Sequence, residues 1–267
     1  MPMVLPLASR NAGTRALITG GAQGLGLAVA RQLVAEGATH LALVGRSTAK
    51  GAAAVAELEA AGARVVFIAA DIGSVADCQR AISEAISAMG NINALVNAAA
   101  STARDTLLDA TPDGFDRMFA VNVRGPVFLM QGLVRHLVER DEPGSIVNVM
   151  SMAAHAGQSF IVSYSASKGA LVTLTRNVAN AWRRHRIRCN GVLPGWMDTP
   201  GEDEIQKTVH GATDDWLAKA EAGQPMGKLV KPDELAALIT YLLSPQSGVM
   251  TGSIIDYDQN VAGAYPE

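Results

Sequence analysis

Apolar residues in this chain gather in short unbroken runs, and between the runs they recur at helical spacing. Arg15–Thr19 is one such run and ends in glycines. Gly24–Glu36 then repeats Leu25, Val29 and Leu33 on one face and stops at Gly37, where a glycine suits a helix C-cap. His40–Val44 is a second run, followed by an alanine-rich helical stretch over Ala49–Ala61 that ends at Gly62. Arg64–Ala69 reads as a strand, Val75–Met89 as a helix and Asn91–Val96 as a strand. Units of about 25 residues therefore alternate β with α.

The alternation continues to the C-terminus. Asp113–Arg140 has the pattern of one long helix, with Pro126 inside it as the site of a local kink. Ser145–Met150 is a strand, Ser163–Arg184 a helix and Ile187–Leu193 a strand. Glu202–Gly223 is more polar and irregular, and its Trp216 suggests an amphipathic lid helix. Pro232–Leu243 carries Asp233 and Glu234 in its first turn, which suits the helix dipole, and Gly252–Asp256 is a last strand. The strands are apolar on both faces, as in a parallel sheet covered by helices on each side. The expected fold class is α/β: a doubly wound parallel sheet of about seven strands. A single domain over residues 1–267 is expected, with a substrate lid around 200–225.

Composition removes several function classes. The chain has 267 residues, 49% hydrophobic and 18% charged, so it is too apolar to remain disordered. With 22 basic against 25 acidic residues it has no excess of positive charge for a nucleic-acid partner. Cys78 and Cys189 are far apart, which is neither a disulfide framework nor a metal spacing. Met1 to Asn11 lacks the cationic start of a signal peptide, and no apolar run reaches the roughly 18 residues of a membrane span. A cytoplasmic protein without membrane partners is expected.

The first strand runs into Thr19-Gly20-Gly21-Ala22-Gln23-Gly24-Leu25-Gly26. Glycines there let the backbone approach a pyrophosphate, and the following helix points its free N–H groups at it. The spacing Gly-x₃-Gly-x-Gly resembles that of the short-chain dehydrogenase/reductase family. After the second strand, Gly45 takes the place where an acid would bind a ribose 2′-hydroxyl, and Arg46 beside it can pair with a 2′-phosphate. This favours NADP(H) over NAD(H), although Gln23 stands where NADP-binding relatives often carry a basic residue. Asp71 and Ile72 match the family's adenine-contacting position; Asp71 also suits a plain helix N-cap.

Tyr164-Ser165-Ala166-Ser167-Lys168 puts a phenol and an ammonium four residues apart on one helical face. A neighbouring cation favours the phenolate, so Tyr164 can exchange a proton with a substrate hydroxyl while a hydride moves. Ser151 ends a strand 13 residues earlier, where an open sheet presents its ligand contacts. With Asn122 in Val121-Asn122-Val123-Arg124-Gly125, this ordered set resembles the same family across nearly the whole chain. The resemblance implies a Rossmann-type domain and four catalytic residues: Asn122, Ser151, Tyr164 and Lys168. It assigns Tyr164 as acid/base, Ser151 to the substrate oxygen, Lys168 to the Tyr164 pKa and the nicotinamide ribose, and Asn122 to an interruption of helical hydrogen bonding that holds a water relay. It further implies cofactor contacts at Gly20, Gln23, Gly24, Leu25, Gly26, Arg46, Asp71, Ile72, Asn97, Tyr164 and Lys168. Pro194, Gly195, Trp196 and Thr199 complete them on the nicotinamide side, and a homotetramer is implied.

Two segments depart from the family. Asn97-Ala98-Ala99-Ala100 replaces Asn-Asn-Ala-Gly, which either loosens the cofactor geometry or shifts the loop. Asp256-Tyr257-Asp258-Gln259-Asn260 replaces a Gly-Gly turn near what is often a subunit contact. The expected substrate lining is polar with one aromatic wall: Ser151, His155, Gln158, Tyr164 and Trp196, with Ser101, Thr102, Arg104, Glu202 and His210 nearby. Many hydrogen-bonding groups suit a sugar or polyol better than a steroid or acyl chain. The alternatives are a 3-oxoacyl thioester reductase and a cofactor-sensing module without catalysis. Asp198, Glu202 and His210 form a conceivable metal grouping, but no metal is expected because the chemistry requires none.

Overall fold

The computed structural model describes residues 6–155 and 157–264; the start of the N-terminal segment weighed above, residues 1–5, lies outside them. Seven strands form one all-parallel sheet: β1 (Arg15–Thr19), β2 (His40–Gly45), β3 (Arg64–Ala69), β4 (Ala94–Asn97), β5 (Gly144–Val149), β6 (Ile187–Pro194) and β7 (Ile254–Tyr257). Their order across the sheet is β3-β2-β1-β4-β5-β6-β7. The chain winds outward from β1 in one direction and from β4 in the other, so a crevice opens between β1 and β4 at their C-terminal ends.

Successive side chains on a strand point to opposite faces, and each face has its own core. On one face Ala16, Ile18, Leu41 and Leu43 pack under α1 (Gly24–Ala35), α2 (Thr48–Ala60) and the last helix, Pro232–Leu243. On the other, Leu17, Ala42, Leu95, Ile146 and Cys189 stand side by side in the register of five adjacent strands. They lie beneath α3 (Val75–Met89) and two helices of the second half. Each large aliphatic side chain buried in this way contributes roughly 1.5–3 kcal/mol. This double coverage is why the strands carry apolar residues without alternation.

Most elements match the sequence reading within a residue or two, the normal scatter of element ends. The long helix does not. Residues 112–139 form α4 (Pro112–Phe119), a π-helical turn at Ala120–Arg124 and α5 (Gly125–Glu139). The irregularity is therefore at Asn122 and not at Pro126. Pro126 falls in the first turn of α5, directly after the π-turn. The catalytic helix of the sequence reading is α6 (Val162–Trp182). The polar segment folds into α7 (Pro200–Thr208) and α8 (Trp216–Ala222), and α9 is Pro232–Leu243.

Two charged side chains tie the helical layer to the strands. Arg188 donates to the carbonyls of Leu242, Leu243, Ser244 and Met250, so it caps the end of α9 from β6. Glu36, buried at the end of α1, accepts from Arg10, Asn11, Gln32 and Thr240. No helix among the described residues is long and apolar enough to cross a membrane.

Candidate active site

A cleft of about 1200 Å³ lies over the C-terminal ends of the strands. It runs from Arg46 and Asp71 at one end to Tyr164 and Trp196 at the other. Its floor is built from glycines. Gly20 has φ +68°, and a β-carbon on Gly26 would stand 2.4 Å from the Gly20 carbonyl oxygen. Only a bare backbone lets α1 begin this close to the loop. Gln23 precedes α1 without a side-chain capping bond, so the first turn presents its N–H groups and positive dipole end toward the cleft.

Three cations stand at the Asp71 end. Arg46 is exposed after β2. Arg117 pairs with Asp71 at 2.9 Å. Lys50 donates to the Gln23 side chain at 2.5 Å. Burial raises the Asp71 pKa, but the Gly73 N–H with the Arg117 and Arg46 charges outweighs it and leaves the carboxyl below its ordinary value. Lys50 was not anticipated as a site residue. It lies four positions after Arg46 in the first turn of α2, and that proximity was the available signal. The length of the cleft, its glycine cradle and this cationic end fit a dinucleotide.

Ser151 stands just after β5 in extended conformation (φ −166°). Its hydroxyl accepts from the Ala153 N–H at 3.2 Å and lines the cleft together with Tyr164, which lies with Lys168 on one face of α6. Burial raises the Tyr164 pKa; the Ser151 hydroxyl and the Arg104 charge pull it back, and Glu202 pushes it up again. Lys168 is 3% exposed and donates to the Val149 carbonyl at 2.9 Å. Its ammonium stands 5.5 Å from the Tyr164 ring centroid, and burial lowers its pKa to about 8.

Asn122 and Asn97 lie behind the cleft lining. The π-turn aims the Asn122 side chain at both backbone polar groups of Ser101 and at the Ser167 hydroxyl, at 2.7–3.0 Å. Asn97 donates to Asn148, which in turn donates to Thr175 on α6, each at 2.8 Å. The oxygen of the Asn97 amide is buried and unpartnered. The altered loop beside it is unstrained. The described non-glycine residues with positive φ are Asp141 and Arg186, so Ala100 keeps a backbone open to any L residue.

At the substrate end His155 pairs with Asp256 at 2.8 Å. Trp196, 39% exposed, donates to Glu202 at 2.8 Å, and its ring centroid is 6.2 Å from that of Trp216 on α8. Thr199 caps α7, and with Pro194 and Gly195 it also borders the cleft. Gln158, Ser101, Thr102, Arg104 and His210 line it too. The conceivable metal grouping is dispersed: Asp198 pairs with Lys231, Glu202 holds Trp196 and Gln206, and His210 faces Phe160. The C-terminal segment reaches back, with Asp258, Asn260 and Val261 against the cleft of their own chain. Asp105 also escaped the sequence reading. Its carboxylate accepts from the backbone and hydroxyl of Ser163 and so caps the start of α6 from the loop after β4.

Comparison with known proteins agrees with this geometry. Residues 20–260 match the family model described as Enoyl-(Acyl carrier protein) reductase. The chain is 32% identical to the (3R)-3-hydroxyacyl-CoA dehydrogenase of Canis lupus familiaris, over 95% of this chain and 97% of that one. It is 30% identical to the sorbitol dehydrogenase of Cereibacter sphaeroides, over 92% and 96% respectively. A crystal structure of a short-chain type dehydrogenase/reductase from Mycobacterium marinum superposes with a TM-score of 0.84 at 29% identity, covering 94% of this chain and 96% of that one. Fold and relatives together define a nicotinamide-dependent oxidoreductase that works on hydroxyl and carbonyl groups. The chain belongs to the short-chain dehydrogenase/reductase family.

Lys168 has a measurable thermodynamic signature. Its folded pKa of about 8 is below its ordinary 10.5, so the unfolded chain binds the proton more tightly. Below pH 8 both states are protonated and the folded state bears the whole desolvation cost; the cost fades as pH rises from 8 and is gone above 10.5. Lys168→Met should therefore stabilise the cofactor-free protein at pH 7 by about 2–3 kcal/mol, and the gain should shrink toward pH 10. Thermal melts at both pH values test this, and a Lys168→Met protein that melts lower than wild type at pH 7 would refute it.

Proposed function

We propose that this protein interconverts a secondary alcohol and a ketone, or an aldose and its lactone, on a sugar or polyol, with NADP(H) preferred to NAD(H). The observation that carries the reading is the juxtaposition of the Ser151 and Tyr164 hydroxyls at the end of a cleft whose other walls are polar side chains and one indole face. A substrate with several hydroxyls finds a partner for each there, and Trp196 supports its apolar edge. The similarity to a sorbitol dehydrogenase supports the same class.

When bound, the nicotinamide supplies or accepts the hydride. Tyr164 passes the proton to or from the substrate oxygen, and Ser151 holds that oxygen beside the phenol. Lys168 stabilises the phenolate and reaches the nicotinamide ribose. Asn122 places Ser101 and, through Ser167, the Tyr164 turn of α6, and it anchors a water relay to Lys168. Asn97, with its buried free oxygen, serves the cofactor from behind the loop. Gly20, Gly24, Leu25 and Gly26 cradle the phosphates, Asp71 and Ile72 the adenine, and Pro194–Thr199 the carboxamide. Arg46 and Lys50 hold a 2′-phosphate. The segment around 200–225 acts as the lid of a single catalytic domain. The reduced, buried Cys78 and Cys189 suit the cytoplasm. Four copies assemble, and an apolar hollow lined by Val134, Val138 and Trp182 on α5 and α6 is the surface offered for it.

Tyr164→Phe should lower turnover of polyols about a thousand-fold and leave cofactor affinity within about threefold of wild type. Nicotinamide absorbance and cofactor titration measure the two, and a variant that keeps a tenth of its activity would end the assignment. The same assay with 3-hydroxyacyl thioesters separates polyol from acyl chemistry. Arg46→Gln combined with Lys50→Gln should reduce the NADP⁺/NAD⁺ preference about tenfold or more. An unchanged ratio would remove both residues from cofactor selection. Light scattering should give a mass four times the 27.8 kDa chain, and a monomer would dismiss the assembly.

A further inference from the structure

The substrate half of the cleft contains a cation whose donors are incompletely used. Arg104 stands on the loop between β4 and α4. Its Nε is buried without a hydrogen-bond partner. Its nearest carboxylate, Glu202, is 3.9 Å away, beyond hydrogen-bond reach. One oxygen of Glu202 already accepts from Trp196 and Gln206, both at 2.8 Å. The Arg104 guanidinium is 5.8 Å from the Phe160 ring centroid, where an aromatic ring supports it without satisfying its donors.

Among the described residues, the other basic side chains named for the cleft are engaged elsewhere. Lys168 donates to Val149, and His155 pairs with Asp256. Arg117 and Arg46 act on Asp71 at the far end. Arg104, by contrast, is near enough to Tyr164 for its charge to lower the phenol's pKa, after burial has raised it and the Ser151 hydroxyl has drawn it down.

We infer that Arg104 is a specificity-determining residue that reads a carboxylate on the substrate, so that the preferred substrate is a polyhydroxylated acid, an aldonate or its keto form. This rests on the polyol reading above. A planar guanidinium with free donors matches a carboxylate bidentately. A phosphate ester is the less suitable anion. Its second charge would meet Glu202, and among the described residues no further free arginine or lysine stands on that side. The carboxylate takes the donors that Glu202 fails to reach, while the hydroxyl carbon lies toward Ser151 and Tyr164.

Binding can be read apart from catalysis in the Tyr164→Phe enzyme loaded with NADP⁺, which does not turn over. Calorimetry should show D-gluconate binding at least about tenfold more tightly than D-glucitol or D-glucitol 6-phosphate. Adding Arg104→Gln should reduce that preference to within about twofold, while Arg104→Lys retains part of it. Cofactor affinity in each variant reports that it is folded. Equal binding of gluconate and glucitol, tighter binding of the phosphate ester, a preference that survives Arg104→Gln, or no binding of any probe would overturn the inference. Turnover of glucitol by the wild-type enzyme separately decides the polyol reading, so the two failures are distinguishable.

Discussion

A single buried hydroxyl sets the geometry on which the site depends. Thr19 ends β1, and its Oγ accepts from the backbone N–H groups of Ala98 and Ala99 at 3.0 and 3.1 Å. It therefore spans the one place in the sheet where the winding direction reverses. The glycine loop and the loop after β4 are held at a fixed separation, close enough that a β-carbon on Gly20 would stand 3.1 Å from the Ala99 nitrogen. A parallel sheet needs its backbone groups paired up to its rim, and beyond the rim something must replace the ladder. Thr19 performs that replacement between β1 and β4, and the crevice begins immediately above it.

From this rim the chemistry is arranged by burial more than by charge density. Lys168 has no carboxylate partner among the described residues and is held by a carbonyl in a nearly water-free position. Tyr164 is partly buried, and the Ser151 hydroxyl stands near enough to act on it. Desolvation of both partners makes each sensitive to any charge brought near, since fields act over longer distances where water is excluded. Arg104 and Glu202 already influence the phenol from across the cleft. A site of this kind is poised rather than neutralised.

The parts legible in the sequence were those encoded by neighbours along the chain. Apolar runs, glycine punctuation and the Tyr164–Lys168 spacing are local, and they marked the sheet and the central residues. The break at Asn122 was legible only through the family resemblance; the residue pattern alone pointed to Pro126, because a proline four positions on is a stronger local signal than a one-residue change in helical register. Lys50 beside Gln23, Arg117 beside Asp71 and Asp105 beneath Ser163 join residues 27, 46 and 58 positions apart. Such pairs are set by how strands are ordered, which a propensity argument does not reach. The substitution of alanine for glycine at position 100 illustrates the same limit: its effect depended on a backbone angle, and the angle is ordinary.

The capping of α6 by Asp105 bears on how this enzyme can diversify. The loop after β4 carries Ser101, Thr102 and Arg104, and three residues of main chain there and at the head of α6 are sewn together by Asp105. A mutation that reshapes the loop also displaces the first turn of the helix that carries Tyr164, so altered taste on that wall is paid for in catalytic placement. The opposite wall is freer: α7 meets the cleft through Glu202, which holds Trp196, and neither side chain bonds to α6. A substitution on α7 therefore leaves the head of α6 in place, whereas one in the loop after β4 shifts it.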